Sequence, residues 1–248
     1  MPVALTRRES RRAALRQRVI RPVILTIQKP ARGSMKSITF DIPEDAAIAA
    51  RTPKGQATVG RILDAAIEIM VHEGHASLSM RKVAERLNMR ISALQHHFAN
   101  WEELLQAMIT RVTSNYLREI NRVLARPARS RLRQFESVLD YLLRDIKSPV
   151  SQSLFAQLWA LAQTNDFARQ AMVDTYGHER AVFEFFIREL NPALEKKEVA
   201  QRAALMATQI EGLMLLMPQQ SRLPAELSGL EQLCLARTLE LAHAPPAA

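Results

Sequence analysis

An all-α chain is predicted by three observations. Leu, Ala, Arg, Gln and Glu dominate a 248-residue sequence that is 48% hydrophobic, so good helix formers supply most of the chain. Glycines number only seven, and from Val59 onward apolar residues return at helical spacing rather than in alternation. Helix-stop residues (Gly74, Asn88, Pro127, Pro149, Asn191-Pro192 and Pro218) cut that pattern into segments of helix length. Three regions result: a basic, disordered leader and linker over residues 1–54, a small three-helix head over 55–105, and a larger helical body over 106–243.

The leader carries most of the charge. Residues 1–34 hold nine Lys or Arg and the single acid Glu9, a local balance of +8, against +9 for the whole chain. The remaining 214 residues are nearly neutral, so the net charge alone says little about what the folded part binds. Three readings of the leader stay open: an arm that follows phosphates, an Arg-rich targeting peptide, or sequence upstream of a true start at Met35. Its run VIRPVILTI is broken by Arg21 and Pro22, and no segment reaches the ~18 uninterrupted apolar residues of a membrane helix, so a cytoplasmic protein is expected. Cys234 is the only cysteine, which excludes an intrachain disulfide and a Cys-rich zinc site.

The helices follow in order. Val59, Ile62, Leu63, Ala66, Ile67 and Met70 form the inner stripe of a first helix that stops at Gly74. Ser79 caps a second, since its hydroxyl accepts from free amides of the first turn, and Val83, Ala84 and Leu87 face inward. Asn88 tolerates a left-handed backbone and ends it. A third short helix follows at once, with Leu94 and Phe98 inward. Asn100 caps a long fourth helix, and apolar-periodic stretches at 129–147, 150–163, 165–190, 195–217 and 224–243 make up the body.

Two helices too short to be stable alone, joined by a tight turn and set on a third, form a helix-turn-helix, whose second member enters the major groove of DNA. Ala84 permits the close approach, Asn88 makes the turn and Met89 plugs the gap. The outward set is Ser79, Arg81 and Lys82 at the start of the first helix of the pair, then Arg90, Ser92, Gln95, His96 and His97 on the second. Gln pairs with adenine, and Arg with guanine or phosphate. A metal reading fails on spacing: adjacent His96 and His97 diverge by about 100° on a helix, and the His72–His75 stretch lacks the i, i+4 separation of HExxH. No Gly-rich phosphate loop, nucleophile–base pairing or carboxylate cluster points to an enzyme, and no cofactor is expected.

Residues 62–105, ILDAAIEIMVHEGHASLSMRKVAERLNMRISALQHHFANWEELL, resemble the tetracycline-repressor family of bacterial transcription regulators. The resemblance rests on Ala65-Ala66, Gly74, Ser79-x-Arg81, Ala84, Leu94 and His97-Phe98 followed by Glu-Glu-Leu. Residues 155–186 are similar, more loosely, to the body of such proteins. The chain departs from the family's pattern at Gln95, where an aromatic is usual, and at Trp101, Asn88 and Arg90. The resemblance implies a homodimeric regulator, a repressor released by a small-molecule effector, acting on a near-palindromic double-stranded operator. Phe155, Trp159, Met172, Tyr176, Phe183 and Met206 are the candidates to line the effector pocket. With few buried charges apparent, a hydrophobic or amphipathic effector is expected. The stripe Leu205, Ile210, Leu213, Met214, Met217 with Leu230, Leu233 and Leu239 is expected to form the dimer bundle. The rival reading is an interaction protein that keeps the fold but has lost specific DNA binding, as Gln95 and Trp101 suggest.

Overall fold

The computed structural model describes residues 23–28, 36–42, 52–217 and 224–246. Among them are nine α-helices and one two-stranded hairpin. The head comprises α1 (Pro53–Glu73), α2 (Met80–Arg86) and α3 (Ile91–His97). The helix α4 (Trp101–Leu124) runs from the head into the body, which adds α5 (Arg131–Asp145), α6 (Pro149–Ala162), α7 (Asp166–Leu190), α8 (Lys196–Leu216) and α9 (Leu230–His243).

Side-chain caps set most of the helix starts. Thr52, Ser79, Asn100, Ser130, Ser148 and Asn165 each accept a hydrogen bond from a first-turn amide of the helix that follows. Each such cap is worth ~1 kcal/mol over alanine, so the boundaries are written locally. The left-handed Gly74 (φ 83°) ends α1, and a 3-10 turn at His75–Ser77 leads on to α2.

Two cores form. In the head, Ile62, Leu63, Ala66, Ile69 and Met70 of α1 close over Val83, Ala84, Leu94 and Phe98. The same cluster continues into the body through Leu104, Leu105, Met108 and Ile109 of α4, Leu154 and Leu158 of α6 and Met172 of α7. In the body proper, Phe135 stacks on Phe186 at 4.7 Å and meets Phe183 edge-on, and Met206, Ile210 and Leu213 of α8 pack beside them. The one cysteine, Cys234, is half-buried against this core, and burial pushes its thiol up.

The disordered leader and linker expected over 1–54 is corrected where the chain is described. Strands β1 (Ile24–Gln28) and β2 (Ser37–Asp41) pair antiparallel, with Thr26 opposite Thr39. Ile38 and Phe40 point into the body core, both 3% exposed, at the period of two that a half-buried strand requires. On α4, the Asn121 amide receives the Phe40 N–H at 2.8 Å and donates to the Phe40 carbonyl at 2.8 Å, so it stands in for a neighbouring strand on the free edge of β2. The Arg131 guanidinium donates to the Lys36 carbonyl (2.7 Å) and pairs with Glu189, which also holds Lys36. The arm, targeting and Met35-start readings concern residues 1–22 and 29–35, which lie outside the described residues.

Candidate DNA-reading head and body cavity

The turn between α2 and α3 closes by backbone geometry. Asn88 takes φ 50°, its N–H donates to the Glu85 carbonyl (3.0 Å), and the Met89 N–H donates to the Ala84 carbonyl (3.0 Å). This is a Schellman ending, with Asn at the left-handed position that usually belongs to glycine. Ala84 is 3% exposed and Met89 is half-buried against the head core, as the spacing required.

With Leu94 and Phe98 inward, α3 turns Ser92, Gln95 and His96 outward, and Arg90 just ahead of it is also exposed. Arg81 is exposed too and pairs with Glu85 one turn on (2.8 Å), a solvated link that costs little to exchange for a phosphate. The Ser79 oxygen caps α2 by accepting from the Lys82 N–H (3.2 Å), which leaves its O–H free to donate. Two expected contacts sit differently. Lys82 is half-buried and pairs with Glu73 (2.9 Å), so it is tied to α1. His97 is half-buried, meets His96 edge-on at 5.5 Å, and has its pKa lowered by burial and then by the charge of His96. Sequence reasoning passed over Ile91 (41% exposed) and Ala93, which are also exposed; Ala93 falls outside the Leu94–Phe98 stripe, whereas Ile91 shares its period and is left open only at the first turn of the helix.

In the body, five helices converge on a nearly closed cavity of about 10 Å³, lined by Tyr116 (α4), Asp145 (α5), Phe155 (α6), Tyr176 and Glu179 (α7) and Glu211 (α8), with apolar residues between. An outer groove of about 480 Å³, lined by Trp159, Met172, Tyr176 and Arg180 among others, shares Tyr176 with it. The Trp159 indole N–H donates to the Tyr176 hydroxyl, which donates to Glu211 at 3.4 Å. Of the six pocket candidates, Phe155 and Tyr176 line the inner cavity, and Trp159, Met172 and Tyr176 the outer groove. Phe183 and Met206 do not: both are fully buried in the body core, packed against other apolar side chains.

The expected shortage of buried charge is also corrected. Glu179 is 2% exposed, and Asp145 and Glu211 are partly buried. Burial raises all three carboxyls; Glu211 is pushed up to about 7, and Glu179 is raised further by the neighbouring Glu211 charge. The sequence carried a signal here. Glu179 sits in register with Met172, Thr175, Val182 and Phe186 on the inner stripe of α7, where an acid has no structural reason to be. Among the described residues no group of three His, Cys, Asp or Glu is arranged to hold a metal ion.

The head of the chain, residues 62–108, matches the model of bacterial regulatory proteins of the tetR family. Over 165 residues the chain is 30% identical to an uncharacterized HTH-type transcriptional regulator from the dhlA 5′ region of Xanthobacter autotrophicus, spanning 64% of this chain and 79% of the relative. The chain belongs to the TetR family. Solved structures share its fold at lower identity. A transcriptional regulator from Pseudomonas aeruginosa PAO1 superposes with a TM-score of 0.62 at 15% identity, over 79% of this chain and 96% of its own. A TetR transcription regulator from Haloarcula marismortui superposes with a TM-score of 0.60 at 14% identity, over 75% and 96%. A transcriptional regulator from Saccharomonospora viridis, solved in complex with choline, gives 0.59 at 19% identity, over 73% and 94%.

For a TetR-family regulator, the contact between head and body is the part that matters next. The shared core is reinforced by polar links from α6: the Ser153 hydroxyl donates to the Val71 carbonyl (2.6 Å), and Gln157 accepts the His75 N–H (2.9 Å). Arg111 of α4 pairs with Asp64 of α1 at 2.7 Å. Thus α4 touches the head along its first half and the cavity further along at Tyr116, whereas α6 meets both within the same turns, the head through Ser153 and Gln157 and the cavity through Phe155. Among the described residues no helix is long and apolar enough to cross a membrane.

Proposed function

We propose that this TetR-family protein is a homodimeric repressor that reads a near-palindromic operator and leaves it when a small molecule binds the body. The observation that carries the reading is the open face after Asn88: Arg90, Ser92, Gln95 and His96 exposed on a short helix whose angle is held by the Ala84–Met89 turn. Gln95 suits adenine, Arg90 guanine or phosphate, and Ile91 with Ala93 a thymine methyl. Arg81 and Ser79 suit the phosphates beside the groove, while Lys82 and His97 act first in holding the head together.

Two-fold symmetry supplies the second head, one helical turn of ~34–36 Å away or a multiple of it. The expected dimer stripe divides in the structure: Ile210, Leu213, Met214 and Met217 are buried within the protomer, whereas Leu205 of α8 (47%) and Leu233 of α9 (53%) are exposed, as are Leu215 and Leu216, which the stripe did not include. Gly212 has open space where a Cβ would stand, and Ala204 and Thr208 share the exposed side of α8. Small residues flanked by exposed leucines suit close helix packing against a second copy. Release by a small molecule is supported by the cavity between helices that also touch the head, and the S. viridis structure gives the fold a precedent for holding one. An effector that binds one head spacing better than the other lowers DNA affinity by the ratio of its two affinities.

Operator selection with the purified full chain, titrated with salt, tests the reading. Binding should weaken steeply with salt, and Arg81→Ala and His96→Ala should keep dimer and melting behaviour while losing the selective footprint. Unchanged footprints in both variants, or binding indifferent to salt, overturn it in favour of an interaction protein.

A further inference from the structure

The inner cavity gathers acids with no basic side chain to pair them. Glu179 is 2% exposed and its Oε1 meets no hydrogen-bond partner among the described residues. Asp145 and Glu211 line the same cavity, and among the described residues no lysine or arginine does. Arg180, next to Glu179 in sequence, is exposed and lines the outer groove instead, as does Arg169, which is engaged by Asp166 and the Ala162 carbonyl. A carboxylate buried without a cation costs several kcal/mol, roughly, even after relaxation, and a core needing only bulk would hold leucine there. Elsewhere in this molecule buried charge is paired: Arg202, 8% exposed, is held by Glu198 and by the carbonyls of Leu241, Ala244 and Pro245 at the end of α9. The inner carboxylates lack that treatment. Tyr116 and Phe155 meet edge-on at 5.9 Å across the cavity, and Tyr176 completes an aromatic wall whose ring faces attract positive charge. Among the described residues these donors do not form a metal site, and the aromatic wall suits an organic cation better than a bare ion.

We propose that the cavity between Tyr116, Phe155, Tyr176, Glu179 and Glu211 is a binding site for an organic cation carrying an aromatic or aliphatic body, with the positive group against the carboxylates; its role as the effector site rests on the repressor reading above. The outer groove gives the way in, and the Trp159–Tyr176–Glu211 hydrogen-bond chain is the door. Closed, the cavity has room for about one water, so the cation separates the elements around it. Tyr116 on α4 and Phe155 on α6 then move relative to α7 and α8, and α4 and α6 are the two helices that grip the head. An anion gains nothing from three acids whose ionisation it opposes, whereas a cation favours that ionisation. A neutral guest leaves Glu179 without a counter-charge.

Calorimetry on the full chain tests this with two matched pairs: phenyltrimethylammonium against its uncharged isostere tert-butylbenzene, and tetraphenylphosphonium against tetraphenylborate, the same shape with opposite charge. At least one cation should bind saturably and tenfold or more tighter than its counterpart. The Glu179→Gln/Glu211→Gln variant, with folding checked by its melting curve, should lose that discrimination. If neither cation binds, if each binds no better than its counterpart, or if the variant binds unchanged, the proposal is overturned. Cation binding that leaves operator affinity untouched supports the site and overturns release instead, and loss of DNA binding in the unliganded protein counts only against the repressor reading.

Discussion

Gln157 and His75 meet at a single atom: the Gln157 side-chain oxygen accepts the backbone N–H of His75 at 2.9 Å, and the His75 ring Nδ1 lies 2.7 Å from the same oxygen. His75 follows the left-handed Gly74 that ends α1, so a body helix holds the head at the residue where its first helix stops. Phe155, two residues earlier on α6, lines the cavity.

Gln157→Ala should therefore weaken coupling more than folding. A net cost of ~1 kcal/mol in stability is expected for the lost hydrogen bonds. Operator affinity without effector should change less than threefold, while the ratio of affinities with and without effector should shrink fivefold or more. Fluorescence anisotropy of labelled operator, with and without phenyltrimethylammonium, reads both quantities. A full response in the variant would show that α6 is not part of the lever.

Asn88 decides the turn by its φ of 50°. Asn88→Gly should be neutral or slightly stabilising, since glycine adopts that conformation freely. Asn88→Val should cost about 1–2 kcal/mol, because a β-branched residue is disfavoured there, and should loosen the α2–α3 angle. Urea melts paired with operator binding would show stability and affinity falling together in the valine variant alone.

Stability should depend on pH through the cavity acids. Glu211 faces Tyr176 and Asp145 and is pushed up to about 7, mainly by burial; Glu179 is raised by burial and Glu211, with Arg180 opposing. The folded state then binds more protons than the unfolded chain, so stability is complete below the ordinary carboxyl pKa of 4.5 and falls as pH rises towards 7. Glu211→Gln should flatten that slope and stabilise the protein at pH 8 by roughly 2 kcal/mol. Thermal melts from pH 4.5 to 8 check it: a wild-type curve flat across that range would contradict the assignment.

Asn121 anchors the hairpin through the backbone of Phe40. Asn121→Ala should cost about 2 kcal/mol, since both polar groups of Phe40 lose a partner on that edge. Phe40→Ala should cost about 3–5 kcal/mol through the cavity it leaves in the body core. A chain begun at Met35 keeps β2 and loses β1, and should melt lower than the full chain; identical melting would mean that the strand pairing adds nothing.

Helix number, helix order and the caps at Ser79 and Asn100 were legible because each depends on residues close in sequence. The stripe Val59–Ile62–Ala66–Met70, the Ser79 and Asn100 caps and the Asn88 turn are local facts, and all appear in the structure. The hairpin was missed although Ile38 and Phe40 alternate, because a two-residue alternation beside a charged leader looks like linker until α4 supplies Asn121 and the core behind it. Among the pocket candidates, aromatic and Met residues share one helical period whether they line a cavity or fill a core, which is why the list mixed the core residues Phe183 and Met206 with the cavity-lining Phe155 and Tyr176.

The sequence by itself determined the all-α class, the three-helix head with its exposed polar face, and the tie to the tetR family, since periodicity, capping and turn chemistry act within a few residues of one another. Only the tertiary structure decided which side of each body helix is inside. It brought Asp145, Glu179 and Glu211 from three helices to one cavity, left Leu205, Leu215, Leu216 and Leu233 uncovered, and linked α6 to the head. Burial, and with it the charge state of an acid, belongs to the packed arrangement: a carboxyl on a helix is ordinary until neighbouring helices close around it and remove its water.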